Sequence, residues 1–182
     1  MAFLSERELK NLGLKSYGNN VLISDKASIY SPELISIGSN VRIDDFCILS
    51  GNIHLGNYIH IAAYSAMYGK FGIVMEDYTG LSPRCTVFSA TDDFSGDYLI
   101  SPMVPDEFTN VHGGLVTIRQ FSQIGANSVI LPDLTINEGV AVGAMSLVKK
   151  NLEEWGIYAG CPVKKICSRS KKVLGLFKKI KN

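Results

Sequence analysis

Residues 37–73 read IGSNVRIDDFCILSGNIHLGNYIHIAAYSAMYGKFGI, with Ile37, Ile43, Leu49, Leu55, Ile61, Met67 and Ile73 six positions apart. A period of six fits neither the 3.6-residue helix nor the heptad. It is a multiple of two, so an anchor and the residue four after it face the same way on short strands. Those i+4 residues are Val41, Cys47, Ile53, Ile59 and Ser65, all apolar or small. The residue after an anchor is often Gly or small, as at Gly38, Gly56 and Ala62, which suits a tight turn.

The period extends both ways. It slips by two residues, resumes at Met75, Leu81 and Val87, and returns after a gap at Ile118, Ile124, Ile130, Ile136, Val142 and Val148. Upstream it includes Ile23 and Ile29, with another two-residue slip before Ile37. Short strand, turn, short strand, with almost no helix signal, describes an all-β chain wound as a parallel β-helix. Three hexapeptides make one coil, so residues 18 apart stack at about 4.8 Å. Cys47 and Ser65 then share a column, joined by Cys85 once the slip is included, and both cysteines read as core thiols.

The expected coil body covers residues 21–163, with an inserted loop at 93–117. Residues 1–20 form a helical cap: Ser5 and Glu8 have capping-box spacing shortly before Gly13. Such a cap would cover the unpaired strand edges at one end of the stack. Residues 164–182 set Ile166, Val173, Leu174, Phe177 and Ile180 near one face and lysines on the others. They are expected to form a basic, C-terminal amphipathic helix, broken at Gly175. It would pack on the coil wall or a sister subunit, or make weak membrane-surface contact.

A chain of 182 residues allows one domain with a real core. No apolar run approaches the roughly 18 residues of a membrane span. The start, MAFLSEREL, lacks the basic and apolar regions of a secretion signal. Four cysteines without a C-x-x-C argue against a zinc site or disulfide framework, so a cytoplasmic location is expected. Charge is uneven. From Lys149 onward ten Lys/Arg stand against two acids, while the remainder has eight against fifteen. The basic end is either a solvated tail or an anion site for phosphates or an acidic surface. No nucleic-acid partner is expected.

Residues 124–166, IGANSVILPDLTINEGVAVGAMSLVKKNLEEWGIYAGCPVKKI, resemble the hexapeptide-repeat acyltransferases, ending in an Ala-Gly-x-Pro turn and a basic residue. The resemblance covers roughly residues 20 to 168. It is closest to sugar acetyltransferases of bacterial surface-polysaccharide clusters (O-antigen, capsule), similar to the galactoside and maltose O-acetyltransferases. It implies a left-handed β-helix, a homotrimer with active sites between subunits, and acetyl-CoA as acyl donor. By this similarity Ala126 and Ala144 would offer backbone groups to the pantetheine arm. Lys149, Lys150 and Lys164 would serve the CoA phosphates as mobile point charges.

The acceptor half departs from the family pattern. Aligned on Leu81-Ser82-Pro83, the galactoside-type catalytic histidine falls on Asp92. In a related group that N-acetylates nucleotide-linked amino sugars, a His-Ile-Ala stretch lies near the acetyl group. Here YIHIAAY puts His60 there, while that group's base position falls on Gly51. Asp92 and His60 are therefore the expected catalytic pair, meeting across a subunit boundary. Asp93 and His112, both in the loop 93–117, are the expected substrate-binding residues.

A sugar hydroxyl is a very weak acid and needs a matched base, usually His. An amine with a pKa near about 8 already has a neutral fraction at pH 7, so a carboxylate need only bind and orient it. Asp92 beside Asp93 thus favours N-acetylation of a nucleotide-linked amino sugar. The alternative is O-acetylation with His60 or His112 as base. Remoter readings are a structural β-helix or a carbonic-anhydrase-like zinc protein. The latter is disfavoured because the three histidines are scattered and no metal ligand set is apparent.

Overall fold

A computed structural model describes residues 2–181. The chain is the expected left-handed parallel β-helix. Its first face stacks Val21–Ile23, Val41–Ile43, Ile59–Ile61, Gly80–Leu81, Gln123–Ile124, Ala141–Val142 and Gly156–Gly160. The second and third faces share the strands Ile48–Leu55 and Ala66–Met75, which run over the corner between them. Val21–Ile23, Val41–Ile43 and Ile59–Ile61 show the buried–exposed–buried alternation that the anchors require. Ile43, Leu49, Leu55, Ile61, Met67 and Met75 are fully enclosed. The sulfhydryls of Cys47 and Cys85 donate to the carbonyls of Ala62 and Gly125, and burial pushes the Cys47 thiol up to about 11. Both are core groups, as the column predicts.

Coil partners stand 18 apart where the hexads are regular, as in Val41↔Ile59 and Val129↔Leu147. Each two-residue slip is a corner. Ile48 pairs Ala66, but five residues on Ile53 pairs Ile73, with the extra residues between Gly69 and Ile73. The upstream slip is the 3₁₀ turn Pro32–Leu34. The corners bend differently from the sequence reading. Gly38 and Gly125 do not carry the turns; they make room. A Cβ on Gly38 would lie 2.4 Å from the Gly56 carbonyl oxygen, and one on Gly125 2.5 Å from the Ala144 nitrogen. The left-handed residue comes three positions after the anchor and is usually not glycine: Asn40, Phe46, Tyr58, Tyr64, Tyr78, Arg84, Phe121, Asn127 and Met145.

The helix α1 (Glu6–Asn11) has the expected capping box between Ser5 and Glu8, and buries Leu9 against the end of the stack. The C-terminal expectation needs correction. Val163–Ser168 is a strand, antiparallel to Gly156–Gly160, and the helix α2 begins only at Val173 (Val173–Lys181). The physical reason is the edge of the last coil, whose open peptide groups pair more completely with a strand than with a helix. Arg169 then ties the segment down, its guanidinium donating to the carbonyls of Phe121, Gly139 and Val140. Phe177 packs edge-on to Tyr78 and Phe121, so α2 lies on the coil wall. Among the described residues no helix is long and apolar enough to cross a membrane.

The loop is also redrawn. The chain leaves the coil at Ser89, whose N–H donates to the Tyr68 carbonyl and whose own carbonyl accepts from Gly114. Coil geometry thus passes from Ser89 to Gly114, and Val116–Ile118 is already a third-face strand paired with Ile73–Met75. Val116 and Thr117 belong to the coil rather than to the loop. Ala90–Thr91 pairs antiparallel with His112–Gly113 and closes the neck. Asp93 staples it: Oδ1 accepts from the Ser95 N–H at 2.8 Å and Oδ2 from the Asn110 amide at 2.7 Å. Those bonds, first from Ser95 and then Asn110, hold its carboxyl down at about 2.

Two outcomes follow from this packing. Leu49→Ala, at a fully enclosed position in the second-face column, is expected to cost about 3 kcal/mol in chemical denaturation, through lost burial and an uncollapsed cavity. The Asp93 staple has a lowered native pKa, so its contribution is complete above the unfolded value near 4. It fades as pH falls toward about 2. Hydrogen exchange of residues 93–112 is expected to quicken across that window before the coil strands respond. Asp93→Asn is expected to reproduce part of the effect at neutral pH.

Candidate active site

An open groove of about 780 Å³ runs along the first face. Its side chains come from successive coils because outward positions on neighbouring strands stack. Arg42 and His60 are direct partners across Val41–Ile43 and Ile59–Ile61, and Gly80 follows His60 on the next coil. The space at Gly80 is taken by the Gln123 amide, whose Oε1 a Cβ there would meet at 2.7 Å. Tyr58, Ser82, Pro83 and Gln123 complete the wall.

The polar centre is a three-residue cluster. The Asp44 carboxylate accepts from Arg42 Nε at 2.7 Å through Oδ1, and its Oδ2 lies 2.8 Å from His60 Nε2. The Asp44 side chain is only 9% exposed, against 52% for that of His60. Asp44 and Ser82 occupy one column, the position just after a first-face anchor, where other coils carry Ala62, Gly125 and Gly143. Reading the sequence for anchors alone missed Arg42, Asp44 and Gln123, and used Ser82 only to set an alignment. For Asp44 the available signal was a charged residue in a column otherwise reserved for small ones.

The four acceptor-side residues fall in two places. His60 lies in the groove. Asp92, Asp93 and His112 gather at the neck of the loop, where Thr91 pairs with His112 and Asn110 bonds Asp93. Asp92 does not stand on a coil corner; it follows the Ala90–Thr91 strand, outside the coil, because the corner closes from Ser89 to Gly114. His112 is exposed, with Nδ1 3.4 Å from the Asn110 carbonyl oxygen. The neck departs from the corner between the second and third faces, whereas His60 projects from the first. One chain does not bring these groups together.

On the donor side, Ala126 and Ala144 sit on neighbouring coils, linked by the bond from Met145 N–H to the Ala126 carbonyl. Their own N–H groups have no partner among the described residues. Lys150 and Lys164 line a separate hollow of about 380 Å³ at the last coil, beside Lys165, whose ammonium is engaged by Glu153 at 3.0 Å. Lys149 is exposed next to them, outside that hollow. No group of three His, Cys, Asp or Glu among the described residues could hold a metal ion.

No family model matches the chain. Individual proteins do. The dTDP-4-amino-4,6-dideoxy-D-glucose acyltransferase of Escherichia coli is 48% identical, over 97% of this chain and 93% of its own length. AntD, an N-acyltransferase from Bacillus cereus solved with dTDP and coenzyme A, superimposes with a TM-score of 0.97 at 52% identity. That match covers 99% of this chain and 98% of AntD. Other AntD structures hold dTDP-4-amino-4,6-dideoxyglucose with coenzyme A, or dTDP with 3-hydroxybutyryl-CoA. WbbJ of Escherichia coli, named for O-acetyl transfer in lipopolysaccharide biosynthesis, is 29% identical over 78% of this chain and 72% of its own. With near-complete coverage at about half identity, on a scaffold of stacked hexads, the chain belongs to the hexapeptide-repeat sugar acyltransferases.

Proposed function

We propose that this enzyme moves an acyl group, acetyl being the simplest, from acyl-CoA to the amino group of a dTDP-linked 4-amino-4,6-dideoxy sugar. The observation that carries the proposal is the end-to-end match to AntD at 52% identity, an N-acyltransferase solved with that sugar nucleotide and coenzyme A. A second detail supports the site. AntD variants are substituted at a serine and at an aspartate ten residues after it. Ser82 and Asp92 have the same spacing here.

The chemistry needs a neutral amine beside a thioester. The amine nitrogen attacks the carbonyl carbon, the C–S bond breaks, coenzyme A leaves as the thiol, and one amine proton departs. Asp92 binds and orients the amine as a hydrogen-bond acceptor, and His60 takes the departing proton. These two project from different faces, so they serve one site only if a second copy lends its loop neck to the first-face groove. A homotrimer satisfies that requirement. The Ala126 and Ala144 amides bond the pantetheine arm, and Lys149, Lys150 and Lys164 bind the CoA phosphates. Hydroxyl transfer is the second reading, favoured by the His60···Asp44 contact, since a hydroxyl needs a stronger base than an amine does.

The deciding assay follows free thiol release with acetyl-CoA and 3-hydroxybutyryl-CoA against a panel of dTDP-linked amino sugars, their hydroxyl counterparts and free sugars. The dTDP-amino sugars are expected to turn over alone. Asp92→Asn is expected to lose about a hundredfold in kcat/KM on them, and His60→Ala a comparable amount in kcat. Full activity of Asp92→Asn with an amine acceptor would sink the assignment. On the donor side, Lys150→Ala and Lys164→Ala are each expected to raise KM for acyl-CoA about tenfold with kcat unchanged. A donor lacking the 3′-phosphate should narrow the gap between wild type and variants.

A further inference from the structure

Asp44 is an unusual residue for its place. It follows an inward anchor, with its N–H bonded to the Ile61 carbonyl on the next coil. Its column holds Ser24, Ala62, Ser82, Gly125 and Gly143, because side chains there meet the backbone of neighbouring coils. A nearly enclosed carboxylate is costly unless both oxygens are matched by donors. Here both are: Arg42 Nε at 2.7 Å on one, His60 Nε2 at 2.8 Å on the other. Arg42 also lies over the Phe3 ring, which fixes the arginine side of the cluster to the N-terminal cap.

We infer that Asp44 is a positioning residue that holds His60 as its Nε2–H tautomer and leaves Nδ1 as the atom that receives the proton lost by the acceptor. An ionised carboxylate only accepts hydrogen bonds, so the 2.8 Å contact requires the hydrogen on Nε2. The lone pair of the neutral ring is then on Nδ1, which has no partner among the described residues. The ring stands in the groove opposite Gly80, with more than half of its side chain exposed. Asp44 is nearly enclosed and has both oxygens engaged, so it acts through the imidazole. The role in turnover rests on the proposed function, in which His60 takes the proton; the tautomer does not.

The test uses the intact protein with ¹⁵N-labelled histidine. Long-range ¹H–¹⁵N spectra near neutral pH report the tautomer of each ring, with His60 assigned by its loss in His60→Gln. Wild type is expected to show the Nε2–H form at His60. In Asp44→Asn the amide offers N–H as well as C=O, so the Nε2–H form is expected to give way to a mixture. Turnover at saturating substrates is expected to drop about tenfold or more, with both KM values within about twofold. An Nδ1–H ring in wild type overturns the inference, whether or not the variant folds. So does a variant that loses turnover with its His60 tautomer unchanged. Lost turnover in Asp44→Asn beside normal turnover in His60→Gln assigns Asp44 some other role. Normal turnover in both sinks the base assignment of His60 itself, leaving the tautomer result to stand separately.

Discussion

Parallel hydrogen bonding between successive coils sets everything else in this protein. Each coil's peptide groups bond to the coils above and below, so the neighbours of a residue are fixed by the coil repeat. A column has to be compatible with itself, coil after coil. That is why Ile and Leu fill the inward columns, why Gly38 and Gly56 touch backbone to backbone, and why Ser65, Ser128 and Ser146 follow the cysteines. It also explains how the chain tolerates extra residues. Two-residue slips, and the whole excursion between Ser89 and Gly114, occur at corners, where the ladder is already interrupted.

The corners carry a conformational cost. Left-handed backbone at a non-glycine residue costs about 1–3 kcal/mol, and this chain adopts it at nearly every turn. The compensation is stacking along the same columns. The rings of Tyr58 and Tyr78 stack nearly parallel with centroids 4.6 Å apart, and Phe46 stacks on Tyr64 at 4.9 Å. Lys26 and Arg84 cover the two ends of the second pair. Phe177 of α2 then seals the Tyr78–Phe121 edge. A turn position that is unfavourable alone becomes a repeated contact, so the corners stiffen the rod.

Legibility in the sequence follows the same division. The inward columns were readable because burial imposes one chemistry on every sixth residue, from Ile23 to Val148. The capping box at Ser5 was readable because it is local. The αL corners were not, since Tyr64, Arg84 and Met145 share no chemistry; what they share is a position three after an anchor. Val163–Ser168 was misjudged because its fate depends on the open edge of Gly156–Gly160, a tertiary fact that no local pattern records. In the site, His60 could be named from a motif, but Asp44 and Arg42 could not. Their roles arise only when the 18-residue register sets Arg42 opposite His60.

A stack of coils with three flat faces is convex, and that limits what catalysis it can support. The hollow along its first face is an open groove, with Tyr58 and His60 among the side chains that line it. Acyl transfer needs amine and thioester held together, away from competing water. A single convex rod cannot supply that enclosure, and its own loop neck leaves from the wrong corner to close over the first face. The exposed apolar residues of the loop, Phe94, Met103 and Phe108 among them, are likewise unaccounted for within one chain. The proposed function meets both deficits with one arrangement, in which the loop of one copy lies over the groove of the next. In that proposal the rigid coil fixes His60 and the donor amides, and the excursion of a second copy supplies Asp92. Acceptor recognition can then vary in the loop without disturbing the register that holds the coil together.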